Sequence, residues 1–459
     1  MGIKNYIGNK EFYKYSLTLA LPVFIQNLIT NFVSLLDNIM VGQIGTAEMS
    51  GVSIANTLIF VFNLCIFGAV SGPGIFSAQY HGQGNSKGVR NCLRYKILLV
   101  LFLSILAVLT CYFLYEPLIN MYLHDADTAN VELTFNSAKS YIFVMAVGLI
   151  PFALTNAYAG TLRETGQTAL PMKAGLIAVA VNLALNYVLI FGHLGLPKLG
   201  VVGAAIATVV SRFVELSIVV VWTHMHKADN QFAIGLYKSL KIPAKLFMDI
   251  TVKGLPLMLN EGLWSAGIST LVSLYSTRGL DVVAGVNIST TITNLFNVGY
   301  IAFGTVIAII IGNLLGAGKL EEARAEAKKL IALTVAIALG MGCLSAAASP
   351  FFPLAYNTTD TVRHIATMLI IVSAVIFPIN AFAHASYFTI RSGGNTFITF
   401  LFDSAFEWGI TVPLTYLIAT YTDLPILPLY IISQSVVIIK SVIGAILVKK
   451  GIWVNNLTK

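Results

Sequence analysis

Asp37 is a carboxylate in an otherwise apolar stretch, with no basic residue within a helical turn of it. It follows Pro22 by 15 residues, about 22 Å along a helix. An acid so placed either faces water at the outer edge of a membrane or binds a cation or a proton within it. Asn182 and Asn186 are four apart, which puts both amides on one helix face. Two carbonyl oxygens and a carboxylate would suit a hard monovalent ion, so Asp37, Asn182 and Asn186 together form a candidate Na+ shell. The same asparagines would equally serve as hydrogen bonds between helices. Glu261, five residues after Pro256, could carry a proton. It could also reach lipid headgroups or pair with Lys253.

Other polar residues interrupt apolar runs. Arg212 and Glu215 are three apart, a spacing that lets them neutralise each other. Asp403 and Glu407 are four apart, so like charges share a helix face. Protonation of one, or pairing with Arg391, would relieve them. His384 could titrate or sit in the core as a hydrogen-bonded ring. Pro22 and Pro256 open or bend their helices, since proline removes a backbone donor. The loops Gly82-Gln-Gly84 and Gly316-Ala-Gly318 lack the Lys-Ser/Thr of a phosphate-binding loop. No ATPase, metalloprotease, hydrolase or redox motif is present, so the chain does not read as an enzyme. An ion gradient is the default power source, and no cofactor is implied.

The elements that position these groups are membrane helices. The 459 residues are 57% hydrophobic and 10% charged, with mean hydropathy +0.81. A soluble domain carries about 25% charged residues, so lipid must be the solvent here. Twelve apolar stretches are long enough to span a bilayer, from 15–41 to 425–448. With the N-terminus inside, 22 of the 28 Lys and Arg lie in inner segments and four outside, with Arg212 and Lys440 within spans. That bias places both termini in the cytoplasm. It also explains the net charge of +8 without a nucleic-acid partner. The cysteines Cys65, Cys92, Cys111 and Cys343 show no metal-like spacing.

The chain is written twice. At an offset of 234, Leu21-Pro22 recurs as Leu255-Pro256, Gly51-Val52 as Gly285-Val286, and Gly82-x-Gly84 as Gly316-x-Gly318. At 228, Arg163-x-x-Gly166 recurs as Arg391-x-x-Gly394. The net change of six residues suits the acidic outer loop near 116–138. Duplicated membrane halves with an even number of spans are parallel repeats, a layout of secondary transporters. The expected division is an N-lobe over 1–223, a cytoplasmic linker over 224–253 and a C-lobe over 254–459. Within the linker, Ile242–Val252 could form a short interfacial helix.

This pattern resembles the multidrug and toxic compound extrusion (MATE) family, in a bacterial sub-branch. The likeness is carried by Leu21-Pro22, Asp37-Asn-Ile-Met-Val-Gly42, Gly51-Val-Ser-Ile, Gly82-Gln-Gly84, Asn182-Leu-Ala-Leu-Asn186 and Gly200-Val-Val-Gly203. It implies an all-α integral membrane fold of twelve transmembrane helices, in two pseudo-symmetric six-helix bundles around a cavity open alternately to either side. It also implies a bacterial cytoplasmic membrane and export of organic cations in exchange for H+ or Na+. Asp37 matches the family's first-span aspartate, and Asn182 its fifth-span asparagine. Asn186 stands where some members have a second aspartate. In one branch, a seventh-span carboxylate would fall at Trp264 and a tenth-span aspartate at Asn380, so that ion pair is not reproduced. Glu261 could substitute from a neighbouring turn. Trp264, Asn380, His384, Asp403 and Glu407 are secondary polar or substrate candidates, and a monomer is expected. The alternative function is a flippase for an amphipathic, lipid-linked substrate. A cavity almost free of basic residues argues against that load.

Overall fold

The computed structural model describes residues 6–123 and 128–459, without the side chains of residues 33–39 and 128–130. Among the described residues the fold is helical throughout. The first half gives α1 (Lys10–Gly42), α2 (Thr46–Gly82), α3 (Ser86–Phe113), a short α4 (Tyr115–Asn120), α5 (Thr128–Glu164), α6 (Ala169–Phe191) and α7 (Gly200–Met225). The second gives α8 (Ala244–Ser276), α9 (Leu280–Gly316), α10 (Leu320–Ala348) and α11 (Asp360–Ser392). It ends with α12 (Thr396–Tyr421) and α13 (Ile426–Lys450). Ten of these are long and apolar enough to cross a membrane. The openers α1 and α8 have 33 residues each and are not among those ten.

The duplication is visible in the helix ends. Shifted by 234, the bounds of α1 and α2 fall on those of α8 and α9. Both prolines lie inside their helices, so neither is a helix start. The expected surface helix is not separate: its residues from Ala244 onward are the first turns of α8. Nothing between Ala244 and Pro256 is a strong helix breaker. The link between α7 and α8 is irregular apart from two short 3₁₀ turns. Arg90 and Arg94 pin it by donating to the carbonyls of Phe232, Gly235 and Leu236.

The chain divides into two compact units. The N-unit comprises Ile25–Ser77 and Asn85–Thr251. In it α5 packs on α3 and α7, and α6 on α7. Gly51 lets α2 approach α5, where an added Cβ would stand 2.6 Å from the Thr134 carbonyl oxygen. The C-unit comprises the chain up to Phe24, Ala78–Gly84 and Val252–Lys459. Here α11 packs on α9, α10 and α13. Gly285, the repeat of Gly51, gives α9 the matching approach to α11, 2.6 Å from Ile365. Small residues at such crossings let backbones touch, which drives helix association where lipid supplies no hydrophobic force.

The end of α2 belongs to the C-unit and crosses the end of α9 reciprocally. A Cβ on Gly82 would overlap the Asn313 carbonyl, and one on Gly316 that of Gln79. Gln79 and Asn313 are themselves 234 apart, so the crossing has two-fold pseudo-symmetry. The chain end covers it. Gln79 accepts from Leu457 N–H at 2.7 Å and donates to the carbonyls of Ser392 and Asn455. Asn456 donates to the Gly316 carbonyl, and Trp453 is buried in the core formed by α1, α9 and α10.

Candidate functional site

In the N-unit, α6 turns Asn182 and Asn186 toward α7. Asn186 Nδ2 donates to Asn182 Oδ1 at 3.2 Å, and Asn182 Nδ2 donates to Thr208 Oγ1 at 3.3 Å. Both asparagines are buried. The amide chain therefore does tie α6 to α7. A carbonyl oxygen has two lone pairs, so this bonding leaves Asn182 Oδ1 capacity for a cation. Asp37 lies on α1, and its side chain falls outside the described residues. Among the described residues no group of three His, Cys, Asp or Glu is placed to hold a metal.

The expected Arg212–Glu215 pair is not a direct ion pair among the described residues. Arg212 donates to the Gly148 carbonyl at 3.1 Å and lies 4.8 Å over the Phe152 ring. Glu215 faces the charges of both Arg163 and Arg212, while Arg163 donates to Gln26 Oε1 at 3.1 Å. An ion pair with a fully buried lysine escaped the sequence reading: Lys96 reaches the half-buried Glu164 at 2.7 Å and Thr161 at 3.0 Å. Lys96 had read as one more inner-face charge. Its place at the edge of an apolar run was the only available signal.

In the C-unit, α8, α11, α12 and α13 bring a second polar cluster together. Lys440 pairs with Asp403 Oδ1 at 2.5 Å. Asp403 Oδ2 accepts from Asn260 Nδ2 at 3.0 Å. Asn260 Oδ1 accepts from Ser404 Oγ at 2.7 Å and from its backbone N–H, and Tyr387 lies within 3.3 Å of Nδ2. The partner of Asp403 is thus Lys440, not Arg391, whose guanidinium stacks over Phe388 at 5.1 Å. The reason is local. Leu401–Ala405 and Glu407–Thr411 are π-helical, and the wider i→i+5 turn changes which neighbours a residue meets.

The remaining candidates divide between this cluster and its flanks. Glu261 is half-buried and faces the charges of Arg391 and Asp403. Lys253 does not pair with it, and donates to the Gly394 carbonyl. Glu407 packs on α8 at Gly267, where a Cβ would stand 2.9 Å from its Cγ. Its neighbour Trp408 donates to the Leu263 carbonyl at 2.8 Å. Trp264 is exposed and Asn380 half-buried, both outside these hydrogen bonds. His384 packs against Gly304, Tyr300 and Phe388 as a core ring. The sequence reading missed Ser404 and Tyr387 and marked Asn260 only as the neighbour of Glu261, because neutral polar residues in apolar helices are common. Lys440 stood out as a cation within a span but had no assigned partner.

Comparison with known proteins decides what this frame is. The MatE family profile matches residues 22–188 and 256–417, one match in each half. The chain belongs to the MatE family. It is 24% identical over 456 residues to the probable multidrug resistance protein NorM of Thermotoga maritima, covering 98% of this chain and 96% of that protein. It is 26% identical over 409 residues to multidrug resistance protein PmpM of Pseudomonas aeruginosa, covering 88% and 83%. Among solved structures it is similar to MATE in the straight conformation, with TM-score 0.86, 20% identity and 98% of each chain covered. The MATE chain is a multi-pass membrane transporter with bacterial relatives, of a multidrug-efflux family and not an enzyme family.

Proposed function

We propose that this MatE protein exports organic cations by alternating access, in exchange for protons, from the cytoplasmic membrane of a bacterium. It works as a monomer with both termini inside. The observation that carries this reading is the family match in both halves together with Asp37 in its motif on α1 and the buried Asn182–Asn186 pair on α6. Asp37 is the coupling carboxylate, and the asparagines are polar neighbours supplied by the same unit. Protons are favoured over sodium because Asn186 and Asn380 stand where other members carry aspartates, and Trp264 where they carry a carboxylate. A sodium ion would then have one formal negative charge to meet.

Occupancy of Asp37 drives the cycle only by favouring one access state over the other. Reversing a 1:99 population takes about 5.5 kcal/mol of differential affinity. Neutralising one carboxylate at membrane depth is worth roughly 2.5–3.5 kcal/mol. Protonation of Asp37 and release of the cationic substrate must together supply that difference. The testing experiment is efflux of labelled ethidium from proteoliposomes, with proton and sodium gradients imposed separately. Export driven by the proton gradient alone is expected. Export driven by sodium alone would replace the proton in this scheme.

A further inference from the structure

The C-unit cluster has a counterpart in the N-unit that alignment by residue type would miss. Shifted by 234, Gln26 falls on Asn260; shifted by 228, Arg163, Gly175 and Arg212 fall on Arg391, Asp403 and Lys440. Each unit therefore has an amide on its first long helix and a cation at each of two matched positions. The carboxylate breaks the pattern, since Gly175 has none. Yet a Cβ on Gly175 would stand 3.3 Å from Gln26 Nε2 and 3.6 Å from Glu215 Oε1. Glu215, reaching from α7, brings its carboxylate to the place that Asp403 fills from α12. The charge has changed helix while the arrangement has been kept.

Gln26 and Asn260 each lie four residues, one helical turn, past the proline of their helix. Each is hydrogen-bonded at that point: Gln26 to Arg163, and Asn260 to Asp403 and Ser404. Stability is a poor reason to keep such groups, because desolvating a buried ion pair commonly costs more than the pair returns. Asp403 and Ser404 also sit on a π-helical turn, a feature frequent at functional sites. We propose that the Asn260–Asp403–Lys440 cluster is a helix clamp that fixes α8 one turn past Pro256 and sets where α8 bends during transport, with Gln26, Arg163 and Glu215 as the matching clamp on α1. These are positioning residues for the transport reaction, and the inference rests on the transporter reading.

The test uses full-length protein with its four cysteines replaced and spin labels at the exposed positions Leu255 and Phe397. The native distance distribution between α8 and α12 should be narrow. Asn260→Ala and Asp403→Asn should shift or broaden it, and should lower ethidium turnover about tenfold or more with KM within about threefold. Should Asp403→Asn fold poorly, Asp403→Lys with Lys440→Asp keeps an ion pair. That swap should restore the native Tm yet leave turnover low, because a lysine cannot accept the Asn260 N–H. An unchanged distance distribution overturns the clamp whether or not ethidium moves, and so does a swap with native turnover. Altered distances in the variants, with no ethidium export by the native protein itself, would support the clamp and sink the organic-cation reading.

Discussion

Lys96 shows what a charge requires to sit inside this protein. It is fully buried and spends its ammonium on Glu164 and Thr161. Removing one partner strands the other. Lys96→Met should therefore destabilise the protein by about 3–5 kcal/mol, whereas Lys96→Met with Glu164→Leu should come close to neutral. Thermal unfolding in detergent checks both. The i, i+4 spacing made Asn182 and Asn186 legible as one face, and the structure keeps them on it. The partner of Asp403 was not legible, because Lys440 lies 37 residues on and the π-turns alter the register. Spacing rules for an ordinary α-helix do not hold across an i→i+5 turn.

At the scale of elements, the crossing of α2 with α9 admits no side chain. Gly82→Ala and Gly316→Ala would each drive a methyl group into a backbone carbonyl of the opposite helix, with no flexible side chain to yield. Each should cost about 1–3 kcal/mol or more, with similar losses because the contacts are reciprocal. Gly84→Ala is the control: its Cβ would meet nothing, but its φ is +74°, so roughly 1–2 kcal/mol is expected from backbone strain alone. Unfolding of the three variants side by side separates packing from conformation. The repeat at 234 was readable, and it matches the helix ends. The first turns of α8 were not readable as part of it, because their charged residues break the apolar run while doing nothing to break the helix.

Over the whole molecule, the chain end joins segments distant in sequence. Gln79, in the first half, is held by residues of the last ten. Gln79→Leu would leave the Ser392 and Asn455 carbonyls and the Leu457 N–H without this partner, at about 1–3 kcal/mol for each buried group left unpaired. The loss should appear as a lower Tm in the intact protein. No sequence signal marked residues 451–459, which carry neither repeat nor span. Composition made the solvent legible, the spans and the repeat made the layout legible, and the motifs on α1, α2, α6 and α7 made the family legible. What stayed hidden were contacts set by side-chain direction rather than spacing. The most direct measurement of the central claim is ethidium export by Asp37→Asn proteoliposomes under an imposed proton gradient. The account predicts that gradient-driven export is lost while the protein remains folded. Export at the native rate, still driven by the gradient, would contradict it.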